Sequence, residues 1–206
     1  MKKILTIVLS AVIVASIAIG GTLAFLTANT SALENVFQFD GIAIGLQEYS
    51  AYDSQTNTGT AYPTETQTVS PGTSVNKIPV VTVNANSTAC YVYVKVDNAL
   101  NTTVANSTSL DIDTANWVAL ASPNHTNIYR YKDPVAKSST DVVLPPVFTK
   151  VNFSGENITM ENIASLNGKT VTVQAFAHQT GNDENGDPLT VVDIDSYANA
   201  FFYPAP

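Results

Sequence analysis

The chain has 206 residues, of which 45% are hydrophobic and 13% charged, and its net charge is −8 at pH 7. This length suits one domain with a sizeable core. The acidic balance argues against nucleic acid and anionic membrane surfaces as partners. The single cysteine, Cys90, excludes an internal disulfide. Because Cys90 stands in an apolar run, we expect a buried small hydrophobe, with an intermolecular bridge as the alternative.

The first 24 residues have the three parts of a secretory signal peptide. Lys2 and Lys3 precede an apolar run over residues 4–19, and small residues follow at its exit. We therefore predict export of the chain, with 24 residues removed and 182 retained. The mature net charge becomes −10 because both lysines leave with the signal.

Small residues mark the predicted cleavage site. Thr22 and Ala24 stand two apart, which is the spacing of the −3 and −1 pockets of a signal peptidase. Cleavage after Ala24 leaves Phe25 as the new N-terminus. The alternative is an uncleaved membrane anchor, because residues 4–28 are long enough to cross about 30 Å of hydrocarbon.

A mostly polar segment precedes the first predicted strand. Residues 25–35 cannot bury enough apolar area to fix themselves, so we predict a flexible segment. Over residues 42–46, apolar residues alternate with small ones, which is the period of a half-buried strand. Residues 49–68 predict a long surface loop with room for an edge strand at residues 64–68.

Alternation indicates strands through the middle of the chain. After a Pro-Gly turn at residues 71–72, two strand runs cover residues 75–83 and 90–96. The polar loop that joins them suits a hairpin or a sandwich crossover. Tyrosines and valines alternate in the second run, so one of its faces is aromatic and the other aliphatic. Residues 117–120 and 128–132 predict a further strand pair across a polar turn.

The C-terminal part combines strands with short helices. Because of a Pro-Pro break, any strand within residues 142–148 is an edge strand or ends at Leu144. A short helix is predicted between Thr159, its N-cap, and Gly168, its C′ residue. Residues 170–177 form the clearest strand of the chain, and residues 196–202 look helical.

Three stretches of the sequence are distinctive, namely GTLAFLT at residues 21–27, NVFQFDGIAI at residues 35–44 and VTVQAFAHQ at residues 171–179. Together they resemble the TasA/camelysin family of secreted proteins from Gram-positive bacteria. The Pro-Gly turn and the two valine-rich runs that follow it, within residues 71–96, keep the family's order. The resemblance implies processing by a SipW-type signal peptidase and assembly into extracellular fibres.

The predicted fold over residues 36–206 is all-β. We expect an antiparallel two-sheet β-sandwich of jelly-roll type with one or two short helices, preceded by an N-terminal signal helix over residues 1–24. The predicted core consists of apolar residues from the alternating runs, namely Val81, Val83, Val92, Val94, Val96, Val171, Val173 and Phe176.

Relatives of the camelysin type are described as metallopeptidases, so zinc is the first catalytic hypothesis to weigh. A zincin carries two His at i and i+4 on a helix with a Glu between them, and the sequence has no such motif. His125, His178 and Cys90 supply three ligands only if the fold joins them. A Gly-x-Ser-x-Gly elbow is also missing. We therefore expect a non-enzymatic protein with no catalytic residue, metal or cofactor.

The densest group of oxygen ligands is NDENGD at residues 182–187. Such hard oxygens suit Ca²⁺, but the order of an EF-hand loop is missing. Asp193 and Asp195 would join the group if the following segment folds back. Because Asn, Asp and Gly are also turn formers, a solvated turn is the favoured prediction.

The first functional hypothesis is a secreted structural subunit of extracellular, biofilm-matrix fibres. A segment freed by cleavage would add as a strand to a neighbouring copy, and this head-to-tail contact does not close. The predicted donor strand is Phe25, Leu26, Thr27, Ala28 and Asn29. The expected partners are further copies, a SipW-type signal peptidase and an accessory matrix or anchor protein. Nucleic acid is not among them, and the membrane is met only by the uncleaved precursor.

The second hypothesis is an adhesive or carbohydrate-binding module at the cell surface. Exposed tyrosines and the loop at residues 49–68 would form its binding surface. A camelysin-like metallopeptidase is the third and weakest alternative. Fold class alone cannot choose among these functions.

Overall fold

Eleven strands and three helices make up the regular structure of residues 41–120, 127–183 and 185–204, the parts of the chain that the computed structural model describes. The strands are β1 Ile44–Asp53, β2 Thr58–Ala61, β3 Ser74–Asn76, β4 Ile78–Val83, β5 Cys90–Asn98, β6 Thr108–Leu110, β7 Trp117–Ala119, β8 Ile128–Tyr131, β9 Val142–Val143, β10 Lys150–Phe153 and β11 Val171–Gln179. The helices are α1 Ala99–Thr103, α2 Ile163–Leu166 and α3 Val191–Phe202. The predicted signal helix and the flexible segment lie outside the described residues.

The strands form three antiparallel sheets. Sheet I has the order β2-β1-β4-β9, sheet II the order β3-β10-β6, and sheet III the order β11-β5-β8-β7. All strand pairs in these sheets are antiparallel. The expectation of a mainly antiparallel all-β fold is therefore confirmed. The described residues contain three helices, whereas one or two short ones were expected.

One apolar core joins side chains from all three sheets. Its centre is formed by valines of β4 and β5 that are at most 4% exposed, namely Val81, Val83, Val92, Val94 and Val96. Val171 and Val173 of β11 pack against this centre but are only partly buried. The alternation of β5 therefore places its valines in the core as predicted, because successive residues of a strand point to opposite faces.

The other face of β5 carries its aromatic residues and is covered by α3. Tyr93 is fully buried there with Ile194, Ala198 and Phe202 of the helix. Phe176 of β11 packs on this second cluster and not on the valine core, so its predicted place in a single core is wrong. The two faces of sheet III are covered by different elements, which alternation within one strand cannot reveal.

A buried lysine divides the run predicted as one strand over residues 75–83. β3 pairs with β10 in sheet II, whereas β4 pairs with β1 in sheet I. Lys77 stands between them, is 8% exposed, and forms a salt bridge with Glu48. Its backbone N–H donates to the carbonyl of Thr149, so the chain changes sheets there without losing its hydrogen bond.

Residues 49–68 contain a hairpin in place of the predicted long loop. β1 continues to Asp53 and β2 returns along it, so the edge strand lies at Thr58–Ala61 and not at residues 64–68. The Asp53 carboxylate accepts hydrogen bonds from the Gln55 amide at 2.9 Å and the Thr56 hydroxyl at 3.0 Å, which closes the turn. A Cβ on Gly59 would lie 2.4 Å from the Ala51 carbonyl oxygen, so this strand requires glycine there.

Several shorter predictions are confirmed. β7 pairs with β8, and the two-residue β9 is an edge strand that ends before the Pro-Pro break. Gly168 follows the C-cap of α2 with φ of +73°, the left-handed conformation that glycine adopts most readily. The predicted N-cap Thr159 is wrong, because α2 begins after Asn162. Asn162 Oδ1 instead accepts from the Thr159 amide at 2.9 Å.

Candidate functional site

One side of the valine core is incompletely covered. The residues that β4 and β5 contribute are buried, whereas those of β1 and β11 are only partly buried. These partly buried residues are Ile44, Leu46, Val171, Val173, Ala175 and Ala177. The core residues of β1 and β11 are therefore incompletely covered, as are some core residues of β6, β8, β9 and β10. Cα atoms of β1 and β11 come within 8 Å of each other.

The hydrogen bonds of β11 show which of its backbone groups face outward. In an antiparallel pair, residues alternate between bonding the partner strand and pointing away from it. The amide of Thr180 donates to Ala89 at 2.8 Å, and the amide of Ala99 donates to Thr170 at 3.0 Å. Even-numbered residues of β11 therefore bond to β5. The odd-numbered residues present their N–H and C=O groups at the outer edge, namely Val171, Val173, Ala175, Ala177 and Gln179.

No other strand of the described chain pairs with this edge of β11. The first half of β1 is similarly open. Asn84 donates to the Ala43 carbonyl at 2.9 Å, so by the same alternation Ile44 and Leu46 turn their backbone groups away from β4. β2 pairs with β1 only from Tyr49 onward. Two incompletely paired strands therefore border the uncovered side of the core.

A cleft of about 570 Å³ lies at the Val171 end of β11. Its floor is apolar and includes Val75, Leu100 and Phe153, and residues 62–69 form one wall. Tyr62 begins that wall, with its amide bonded to the Glu48 carbonyl at 2.8 Å and its ring 4.7 Å from the Lys77 ammonium. The cleft lies within the size range of small-ligand sites.

The metal hypothesis depends on residues that the structure separates. Cys90 is fully buried and belongs to the valine core. His178 lies on the opposite face of the same sheet, where its ring stacks on Tyr197. Because the two side chains point to opposite faces, they cannot ligate one metal ion. His125 lies outside the described residues, as do the cleavage-site residues Thr22, Ala24 and Phe25 and the whole predicted donor strand.

Within the acidic segment at residues 182–187, the Asp183 carboxylate is bonded by neighbouring groups of the same segment. Asp183 Oδ1 accepts from the amides of Asn185 and Asp187, each at 2.9 Å. Asp193 caps the N-terminus of α3 by accepting from Thr190. Residues 41–120, 127–183 and 185–204 contain no group of three or more His, Cys, Asp or Glu that could hold a metal ion.

Asp195 does not join the acidic segment. Its Oδ1 accepts from the Tyr93 hydroxyl at 2.8 Å and lies 3.2 Å from Arg130 Nε. Burial, followed by the hydrogen bond to Asp195, raises the pKa of Tyr93 well above its usual value. Sequence reasoning missed this anchor of α3 because the residues are 102 positions apart. The one signal in the sequence was Tyr93 at an inward position of β5, because a buried tyrosine hydroxyl usually has a hydrogen-bond partner.

A second carboxylate holds the connection before β10. The Asp111 carboxylate accepts from the amides of Thr149 at 2.8 Å and Lys150 at 2.6 Å, and from the Thr149 hydroxyl. Partial burial raises the pKa of Asp111, but the hydrogen bonds from the Thr149 hydroxyl and both amides outweigh it. The pKa is therefore below the usual 3.8.

This lowered pKa predicts an acid-sensitive contribution to stability. A carboxylate with a depressed folded-state pKa stabilises the fold above its unfolded pKa, and the contribution is lost as pH falls through the folded value. We expect Asp111→Asn to lower the free energy of unfolding at about pH 6 and to matter much less at about pH 2–3. Urea unfolding of both proteins at the two pH values measures this. An equal difference at both pH values would contradict it.

A scan against protein-family models found no matching family, and searches of curated proteins and of solved structures found no similar protein. The resemblance to the TasA/camelysin family therefore rests on the sequence motifs. None of the helices in the described part of the chain is long and apolar enough to span a membrane. The class that fold and site define is an antiparallel all-β domain with an open strand edge beside a partly exposed core.

Proposed function

We propose that this protein is a secreted structural subunit of extracellular, biofilm-matrix fibres, and that it belongs with the TasA/camelysin-type proteins it resembles. In this proposal the fold is a two-sheet β-sandwich of jelly-roll type. Sheets I and III are its layers, and the open edge of β11 accepts a strand from a neighbour. The donor is the N-terminal segment, residues 25–35, with Phe25, Leu26, Thr27, Ala28 and Asn29 at its start.

The proposal is supported by two features that occur together at β11, unpaired backbone groups and incompletely covered core residues. The outer edge of β11 has five residues with backbone groups that no described strand pairs. The core residues beneath it are only partly buried. An added strand would form hydrogen bonds with those backbone groups and would cover the core residues with its alternate side chains.

Two terms would stabilise the proposed contact, namely backbone hydrogen bonds and apolar burial. Each backbone hydrogen bond contributes about 0.5–1.5 kcal/mol net, and burial of Phe25 or Leu26 adds about 1.5–3 kcal/mol apiece. These gains oppose the cost of ordering a flexible segment. Because donor and acceptor are different surfaces of one chain, the contact is heterologous and propagates into a filament.

Cleavage would control when assembly begins. Before it, Phe25 is tethered to the apolar signal segment, and a SipW-type signal peptidase is the partner that would release it. Assembly would then follow outside the cell, where an accessory matrix or anchor protein is a further partner. The proposal assigns the chain no catalytic activity and no cofactor.

The cleft beside residues 62–69 favours a second candidate function, an adhesive or carbohydrate-binding module. Its wall combines threonines with Tyr62, Glu65 and Gln67, groups suited to hydrogen bonding and stacking with polar ligands. This candidate gains weight if the mature protein remains monomeric at concentrations where filaments are expected.

Two mature forms with different N-termini test the proposed function. We expect protein that begins at Phe25 to form filaments, and protein that begins at Val36 to stay monomeric, because only the first has the donor segment. Negative-stain microscopy and sedimentation of both forms measure this, and circular dichroism controls for equal folding. Filaments of equal number from both forms would show that the N-terminal segment is not the donor.

A further inference from the structure

Four aromatic rings form two stacked pairs between β11 and α3, and we name them the aromatic ladder. The rings of Phe176 and Phe201 stack with centroids 4.4 Å apart at an angle of 19°. The rings of His178 and Tyr197 stack at 4.7 Å with an angle of 1°. Phe176 and His178 also contact each other, with ring centroids 6.3 Å apart, so the two pairs are continuous.

The ladder lies on the flank of α3 that faces β11. Ile194, Ala198 and Phe202 are buried in the cluster that contains Tyr93 and Ile128 of the inner strands β5 and β8. Tyr197 and Phe201 precede the last two by one residue, are four residues apart, and stack on the edge strand β11.

The two rings that α3 contributes to the ladder are exposed. Tyr197 is 47% exposed and Phe201 is 56% exposed. They stand on the helix side of β11, whereas the partly buried valines and alanines stand on its core side. A strand that pairs with β11 would therefore have the core on one face and the ladder beside its other face. Contiguous exposed apolar surface of this kind marks interaction sites.

We propose that the aromatic ladder is a second contact surface of the acceptor edge, and that it selects an apolar side chain on the helix-facing side of the incoming strand. The occupant is the N-terminal segment of a second copy. This inference rests on the proposed function and adds a specificity determinant to it. Strand pairing through the backbone tolerates most sequences, whereas an aromatic wall discriminates apolar from polar side chains.

The length and origin of the N-terminal segment fit this role. The described chain begins at Gly41, whose carbonyl accepts from the Thr88 amide at 3.1 Å, near the Ala89 carbonyl that receives the Thr180 amide. Gly41, to which the segment is covalently joined, therefore lies near the Gln179 end of β11. Residues 25–40 number 16, whereas β11 has nine residues, so the segment is long enough to pair along β11 and still leave a linker.

The composition of the segment also suits the ladder. Residues 25–33 contain no charged residue. Phe25 and Leu26 stand at neighbouring positions, so one of them faces the ladder and the other faces the core in any strand that includes both. Whichever way the strand is rotated, an apolar residue is available for each face.

The first test uses mature protein that begins at Phe25. We expect the double variant Tyr197→Ala, Phe201→Ala to raise the critical concentration for filament formation about tenfold, because stacking contacts are lost. Sedimentation across a dilution series measures it. The matched control is Val192→Ala, since Val192 is 76% exposed on the same helix and outside the ladder. Tyr197→Phe keeps the ring and should retain the wild-type value.

A double-mutant cycle separates the contact from a loss of helix packing. Phe25→Ser and Leu26→Ser are each combined with Phe201→Ala, and critical concentrations are compared. Exactly one of the two donor substitutions should be non-additive with Phe201→Ala, since only one faces the ladder. Additive effects for both would overturn the inference, even if the ladder variant is less stable.

The outcomes keep the two proposals distinguishable. If the wild-type mature protein forms no filaments, both the proposed function and the ladder's role are wrong. If it forms filaments and the ladder variant does so at the same concentration, only the ladder inference is wrong. Filaments with a raised critical concentration, wild-type behaviour of Val192→Ala and one coupled donor position support both.

Discussion

Replacement of Ala175 by proline is expected to abolish filament formation while the domain stays folded. Ala175 is an outward residue of β11, so its N–H points to the open edge and not to β5. Proline removes that N–H and places its ring where a pairing strand would lie. Edge strands tolerate proline at such positions, because no internal hydrogen bond is lost.

The neighbouring position supplies the matched control. Gln174 is an even-numbered residue whose N–H faces β5. Gln174→Pro therefore removes an internal bond, and an unsatisfied partner costs about 1–3 kcal/mol of folding stability. We expect Ala175→Pro to unfold near the wild-type urea midpoint yet leave no sedimentable filaments. Gln174→Pro should lower the midpoint.

Filaments from Ala175→Pro protein, at the wild-type critical concentration, would exclude the outer edge of β11 as the acceptor. Strong destabilisation by Ala175→Pro together with mild destabilisation by Gln174→Pro would instead contradict the assignment of inward and outward residues. Urea unfolding and sedimentation of the same two preparations distinguish these results.

Trp117→Ala is expected to cause the largest loss of folding stability. The Trp117 side chain is 1% exposed, its indole N–H donates to the Pro145 carbonyl at 3.1 Å, and its ring meets Tyr131 edge-on at 5.5 Å. Truncation of this side chain removes its apolar burial, leaves a cavity and leaves the Pro145 carbonyl without its hydrogen-bond donor. The expected cost is about 3–5 kcal/mol of unfolding free energy.

Val118 provides the control on the same strand, because it points to the opposite face and is 42% exposed. Val118→Ala should change the unfolding free energy by no more than about 0.5 kcal/mol. Circular dichroism in urea follows both variants, since Trp117→Ala removes the one tryptophan of the chain. A cost below that of Val118→Ala would place Trp117 outside the core.

The two substitutions act on different properties of one architecture. Trp117 is itself buried in the valine core, where its indole N–H bonds to the first proline of the Pro-Pro segment. Ala175 lies on the side where cover is incomplete. We therefore expect the first change to affect folding of the monomer and the second to affect only the contact between copies.

Alternation of residue types along the sequence was enough to predict β5 and β11 of sheet III. β5 and β11 were predicted within a few residues of their ends, because each has apolar residues at every second position over a long run. The edge position of β9 followed from the Pro-Pro break. The sequence therefore predicts a strand without tertiary information where one face of that strand is uniformly apolar.

Only the tertiary structure decided how those strands are covered. The sequence placed Phe176 in one core with the valines, but α3 folds onto the second face of sheet III and makes a separate cluster there. The division at Lys77 also depends on partners, Glu48 in β1 and the Thr149 carbonyl, that are distant along the chain. A charged residue inside an apolar run does not by itself reveal that the chain passes from one sheet to another, because that depends on the partners of the residue.

For the candidate site too, the sequence predicts one part and only the tertiary structure reveals the other. From the sequence alone, residues 25–35 are predicted to be flexible, because this mostly polar segment cannot bury enough apolar area to fix itself. The open edge of β11 could not be predicted, because strand order depends on which strands meet in space. An unpaired edge is a property of the sheet and not of the strand.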